Sequence, residues 1–230
     1  MCTNAAVAGA RPSLSGMPEP RTCVTEDGLR LEAELAPANG PARARAVLCH
    51  PHPQYGGSMR SIVIGALFDT LPRAGVTCLR FNFRGVERSE GVWDEGNLER
   101  VDVEAAVALL DRDAPGPGPL FLAGWSFGAD MALSVRDPRV AAWLAIAPPL
   151  RYVHDLAGLE DDPRPKLLAL AQHDEVRDPA EVEAIAARWA STEVHVVGGA
   201  SHFFVGRTDR LVELALGFAD ELVAERDPGG

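Results

Sequence analysis

A chain of 230 residues that is 47% hydrophobic and 24% charged has an ordinary globular make-up. That mix excludes a fibrous repeat, a wholly disordered chain and a disulfide-stapled miniprotein. The net charge of −11 repels phosphate backbones and anionic headgroups. The expected partner is therefore a small or neutral molecule, with no nucleic acid and no membrane.

The length permits one large domain or two small ones, and no linker divides the chain. Residues 1–20, rich in Ala, Gly, Pro and Ser, lack the basic start and apolar core of a signal peptide. They read as a disordered leader to a single domain over 21–225, with 226–230 a frayed tail and the cytoplasm the expected location. Cys2, Cys23, Cys49 and Cys78 show no CxxC spacing, and Cys49 and Cys78 read as small buried hydrophobes.

Two short strands, 21–25 and 29–36, flank the turn Glu26-Asp27-Gly28 and predict a hairpin. The apolar run 45–49 is a strand covered on both faces. Helical spacing follows over 61–71, then a strand over 76–83. Leu98, Val101, Val103, Ala106, Val107 and Leu110 form one stripe of a helix over 97–110. Residues 119–123 are a strand, followed by a helix from Phe127 and another strand over 140–147. Residues 166–171 are a strand, and 179–189 a helix capped by Asp178 with Pro179 at its first position. The last strand is 193–197 and the last helix 209–223, whose apolar face is compatible with a homodimer. Alternating strands and helices after a hairpin predict an α/β fold: a mostly parallel sheet of seven or eight strands, helices on both faces.

In such a sheet the chemistry belongs at the carboxyl ends of the strands. The strand 119–123 stops in Gly124-Trp125-Ser126-Phe127-Gly128, a G-x-S-x-G turn between strand and helix. That places a serine on a tight, strained elbow. A serine hydroxyl needs a base, and the base needs an orienting carboxylate. In chain order the acid follows the serine and the histidine follows the acid. The strand 166–171 runs into Asp174, and the strand 193–197 runs into His202. Ser126, Asp174 and His202 are thus the candidate nucleophile, acid and base.

Competing residues have other uses. Asp178 is a cap, and Glu175 is the alternative acid one residue on. His195 lies within a strand, His173 adjoins the acid, and His154 sits in an irregular connection. Ser89 and Ser201 lack an elbow, and an ordinary capping serine remains the plain alternative for Ser126.

The oxyanion of an acyl-transfer intermediate needs N–H donors. One is expected from Phe127. The other belongs to the loop His50-Pro51-His52-Pro53-Gln54-Tyr55-Gly56-Gly57, in which the prolines have no N–H to give. His52 is favoured, with Tyr55 next and Gln54 behind. His50 and His52 also raise a metal-dependent hydrolase as an alternative, although Pro51 interrupts the strand alternation such a pair needs.

With HPHPQYGG (50–57), FNFRGVERSEG (81–91), GWSFG (124–128), APP (147–149), HDEV (173–176) and GASHFF (199–204), the chain resembles the small bacterial α/β-hydrolases of the dienelactone-hydrolase-like group. The resemblance implies the α/β-hydrolase fold, Ser126 as nucleophile, Asp174 as acid, His202 as base and no cofactor. It departs from true dienelactone hydrolases, which carry cysteine at the nucleophile. Glu87 stands where a second loop glycine is usual, and reads as a solvated loop residue, with a carboxylate at the pocket rim as the alternative.

The connection 148–165 has room for a short flap and not for a large lid. Tyr55, Trp93, Trp125, Tyr152 and Phe203 are the candidate substrate-binding aromatics. The expected activity is cleavage of a small soluble carboxylic ester or thioester through an acyl-enzyme. The alternatives are a non-hydrolytic biosynthetic enzyme or a ligand-binding module on the same fold.

Overall fold

Strands β1 (Glu19–Val24) and β2 (Arg30–Ala36) form the expected hairpin. Gly28 takes φ +87°, and the Thr25 hydroxyl accepts the Leu29 N–H at 2.9 Å. The computed structural model describes residues 18–226. The leader up to 17 and the tail from 227 lie outside the described residues, but β1 begins inside the stretch read as leader.

There follow β3 (Ala44–Cys49), α1 (Ile62–Thr70), β4 (Val76–Phe81), α2 (Glu99–Asp113), β5 (Leu120–Trp125), α3 (Phe127–Leu133) and β6 (Val140–Ile146). The chain continues through α4 (Leu156–Glu160), β7 (Lys166–His173), α5 (Pro179–Ala186), β8 (Thr192–Ser201) and α6 (Thr208–Arg226). One eight-stranded sheet results, in the order β1-β2-β4-β3-β5-β6-β7-β8. The pairs β1–β2 and β2–β4 are antiparallel and every other pair is parallel.

Strand alternation sorts the core into two halves. Val47 and Cys49 of β3 face one side with Val103, Val107, Ala129 and Val182. Ala46 and Leu48 face the other with Ile64, Leu67, Leu211 and Phe218. Thus α2, α3 and α5 cover one face, and α1 and α6 the other. The apolar stripe of α6 (Leu211, Ala215, Phe218, Ala219, Leu222) is buried in this layer, so it does not form a free docking face. Cys23, Cys49 and Cys78 are buried thiols.

Strands β7 and β8 run further than their apolar runs, because His173 pairs with Ser201 beyond the hydrophobic part. The connection between β6 and β7 carries only the five-residue α4, started by Asp155, whose carboxylate accepts the Gly158 N–H at 2.8 Å. It is a flap and not a lid. Among the described residues no helix is long and apolar enough to cross a membrane.

Strands β3 and β5 are neighbours, yet α1 leaves β3 for one face and α3 leaves β5 for the other. Such a switch point opens a crevice beyond the carboxyl ends of the two strands. The loop 50–57 and Ser126 sit there.

Candidate active site

Ser126 joins β5 to α3 with φ +55° and ψ −121°, a strained conformation for a residue with a side chain. Its hydroxyl makes no capping bond to the helix, which removes the plain reading of a capping serine. The two glycines are required by backbone. A Cβ at Gly124 would overlap the Gly128 carbonyl, and one at Gly128 would overlap the carbonyls of Cys49 and His50. The elbow therefore packs directly on the end of β3.

The Ser126 hydroxyl lies 2.9 Å from His202 Nε2. On the other side of the ring, His202 Nδ1 is 2.9 and 2.8 Å from the two Asp174 oxygens. With the Nδ1 proton donated to the carboxylate, Nε2 is left as the acceptor that faces the serine. Burial works to raise the Asp174 carboxyl. Hydrogen bonds from His202 and from the amides of Val176 and Arg177 outweigh it and hold the group below its ordinary range. The carboxylate thus stays ionised beside the imidazole. The three expected residues are brought together on three separate strand ends.

Neighbouring groups fix this constellation. Glu175, the alternative acid, accepts the main-chain N–H of His202 at 3.2 Å and leaves the imidazole to Asp174. The Trp125 indole donates to the His202 carbonyl at 3.1 Å. Asp178 caps α5 by accepting the Ala180 N–H at 2.9 Å. His195 pairs with Glu193, His154 reaches the Gly96 carbonyl, and Ser89 donates to the Asn82 carbonyl. None of these three enters the triad.

The candidate donors of the loop 50–57 differ in whether their N–H groups are already engaged. The Tyr55 N–H donates to the His52 carbonyl at 3.1 Å, closing a 3₁₀ turn, so this expected donor is already engaged. The Gln54 N–H donates to His52 Nδ1 at 3.2 Å. The amides of His52 and Phe127 have no hydrogen-bond partner among the described residues. Gly57 is needed here because a Cβ would overlap the carbonyls of Pro51 and His52.

The metal reading of His50 and His52 fails on geometry. His50 is fully buried, with Nδ1 at 2.6 Å from the Pro51 carbonyl and Nε2 accepting the Phe83 N–H at 3.0 Å. Both ring nitrogens are taken by backbone, and burial pushes its pKa down to about 4. His52 turns its Nδ1 to its own loop.

A cleft of about 730 Å³ contains Ser126, His202, His52 and Phe127. Of the expected aromatics, Trp125, Tyr152, Phe203 and Tyr55 line it, Tyr55 at the rim with 87% of its surface exposed. Trp93 does not. It stands behind His52, with ring centroids 4.6 Å apart, and faces a separate hollow beside residues 84–92. Its loop is pinned away from the cleft by Glu99, whose carboxylate accepts the N–H groups of Asp94 and Gly96 at 2.8 and 2.9 Å. Glu87 takes the left-handed φ of +49° that explains a glycine at this place. Its carboxylate meets Arg60 and Asn82 at 3.2 Å, outside the cleft.

Sequence reasoning missed Arg151 and Glu175 as cleft lining, and it missed Asp130 altogether. Asp130 is fully buried in α3 and accepts the N–H groups of Leu150, Arg151 and Tyr152 at 2.9, 2.8 and 3.0 Å. Burial pushes its pKa up to about 7 against those three donors. The available signal was one acid in the otherwise small and apolar helix FGADMAL.

No protein-family model matches the chain. An uncharacterised protein of Rickettsia prowazekii is 34% identical over 78% of this chain and 80% of its own length. A probable carboxylic ester hydrolase of Mycobacterium tuberculosis is 30% identical over 68% of this chain and 39% of its own length. The solved structure of an α/β serine hydrolase homologue from Coxiella burnetii is 33% identical, with a TM-score of 0.79 over 87% of this chain and 96% of that one. With that identity spread over nearly the whole of the Coxiella protein, the chain belongs to the α/β serine hydrolases.

Proposed function

We propose that the protein hydrolyses a small carboxylic ester or thioester through an acyl-enzyme on Ser126. The observation that carries the reading is the unbroken line from the Asp174 carboxylate through His202 to the Ser126 hydroxyl, with steps of 2.8 and 2.9 Å. The unengaged amides of His52 and Phe127 beside it, the open cleft and the similarity to a carboxylic ester hydrolase support the same chemistry.

His202 takes the Ser126 proton as Oγ attacks the carbonyl carbon. The Phe127 and His52 amides donate to the oxygen that becomes negative. Asp174 stabilises the imidazolium without taking its proton. When the tetrahedral intermediate collapses, the bond to the alcohol or thiol breaks and His202 protonates that leaving group. Water then loses a proton to His202, attacks the acyl carbon and releases the carboxylic acid and the free serine.

The test is intact mass after incubation with a fluorophosphonate, followed by peptide mapping. One adduct on Ser126, absent in folded Ser126→Ala, is expected. No adduct on folded protein, or an adduct on another residue, overturns the proposal.

A further inference from the structure

Beside the unengaged amides, the Tyr152 hydroxyl is a cleft group whose proton is left without an acceptor. His52 Nδ1 accepts the Gln54 N–H, so the proton of this neutral ring is on Nε2. Nε2 lies 3.4 Å from the Tyr152 hydroxyl oxygen. In that contact His52 donates and the tyrosine oxygen accepts. The phenolic proton then has no acceptor among the described residues, in a cleft also lined by His52 and Phe127, whose amides are unengaged.

What keeps Tyr152 there is Asp130. Its carboxylate is fully buried, has no cation within 4 Å among the described residues, and is compensated by three consecutive amides of the flap. It sits on α3, one turn beyond the Phe127 amide. The same helix therefore carries one oxyanion donor and anchors the segment that carries Tyr152. The Tyr152 ring packs edge-on against Phe127 with centroids 5.2 Å apart, which limits its swing.

From this we infer that the Tyr152 hydroxyl is a third donor to the oxyanion of the reacting ester, with Asp130 the positioning residue that holds it in place. The inference rests on the acyl-enzyme reading. It separates Tyr152 from Trp125, whose indole N–H is engaged by the His202 carbonyl, from Phe203, which has no proton to donate, and from Tyr55, which is 87% exposed at the rim.

The test uses the full chain and p-nitrophenyl acetate. Tyr152→Phe removes one oxygen and is expected to lower kcat about 10- to 100-fold with KM unchanged, the effect of losing a hydrogen bond to a charged acceptor. Asp130→Asn, assayed well below its melting temperature, is expected to lower kcat by a similar factor. The double variant is expected to be no worse than the weaker single, because Asp130 acts through the tyrosine.

A kcat for Tyr152→Phe within twofold of wild type overturns the inference, as does a change confined to KM. Multiplying effects in the double variant overturn the role given to Asp130, and should Asp130→Asn fail to fold, Tyr152→Phe still decides the donor. Fluorophosphonate labelling of the wild type keeps the two readings apart. An unlabelled wild type defeats the acyl-enzyme itself, whereas a labelled wild type with a fully active Tyr152→Phe defeats the third donor alone.

Discussion

Two strand ends of this sheet, those of β3 and β8, each deliver a buried histidine, and the two rings have opposite surroundings. His50, at the end of β3, is held by the Pro51 carbonyl and the Phe83 N–H, with the Phe83 ring edge-on at 4.8 Å. His202, just past β8, is held by the Asp174 carboxylate and the Ser126 hydroxyl. Backbone groups carry no charge that could stabilise an imidazolium, so burial keeps His50 neutral. A carboxylate does carry that charge, which is what the proposed role of His202 as the base requires. Residue type and burial are shared; the partner decides whether the ring is mortar or machinery.

The largest effect that tests this contrast is His202→Gln. It should lower kcat on an activated ester by about 10⁵- to 10⁶-fold while leaving thermal unfolding nearly unchanged. Kinetics and a melting curve on the same preparation check both halves. Asp174→Asn comes next, at about 10⁴-fold in kcat. It leaves the shape of the site intact but removes the charge and disturbs the ring tautomer. If Asp174→Asn retained wild-type kcat while Glu175→Gln lost it, the acid would have been misassigned by one residue.

How much of this contrast was legible beforehand differs between the two ends. Ser126, Asp174 and His202 are legible as the polar residues just beyond apolar runs, a reading that does not depend on where each strand itself ends. The His50 loop was half legible. Its prolines remove two donors on chemistry alone, but the 3₁₀ turn that engages the Tyr55 amide exists only once the loop has closed on the His52 carbonyl. Trp93 was misplaced for a similar reason. Glu99, distant enough to belong to the next helix, fixes the path of its loop. Asp130 shows the complementary limit: the three amides it accepts lie about 20 residues further along the chain, and no local pattern announces such a contact. The strand extensions to His173 and Ser201 came from pairing with each other, which overrides a composition of glycine and polar residues.

The smallest expected effect isolates the structural histidine. His50→Leu leaves the Phe83 N–H and the Pro51 carbonyl without their partner, which should cost about 3 kcal/mol of stability at pH 7. Activity per folded molecule should fall by less than about tenfold, because no triad distance involves this ring. The pH dependence carries the sharper test. The pKa of His50 is about 4 in the folded protein, against about 6.5 when unfolded. Between those values the unfolded chain binds a proton that the native state refuses. The His50 contribution is therefore complete above pH 6.5 and is lost as the pH falls toward 4, by roughly 3 kcal/mol in all. Buried carboxyls such as Asp102, pushed up to about 6, act in the opposite direction, but they are common to wild type and variant. Urea unfolding of both proteins at pH 7 and pH 4 should thus show two stability curves that converge on acidification. Parallel curves would mean that His50 titrates alike in the folded and unfolded chain. The division between the two strand ends would then rest on geometry without its electrostatic half.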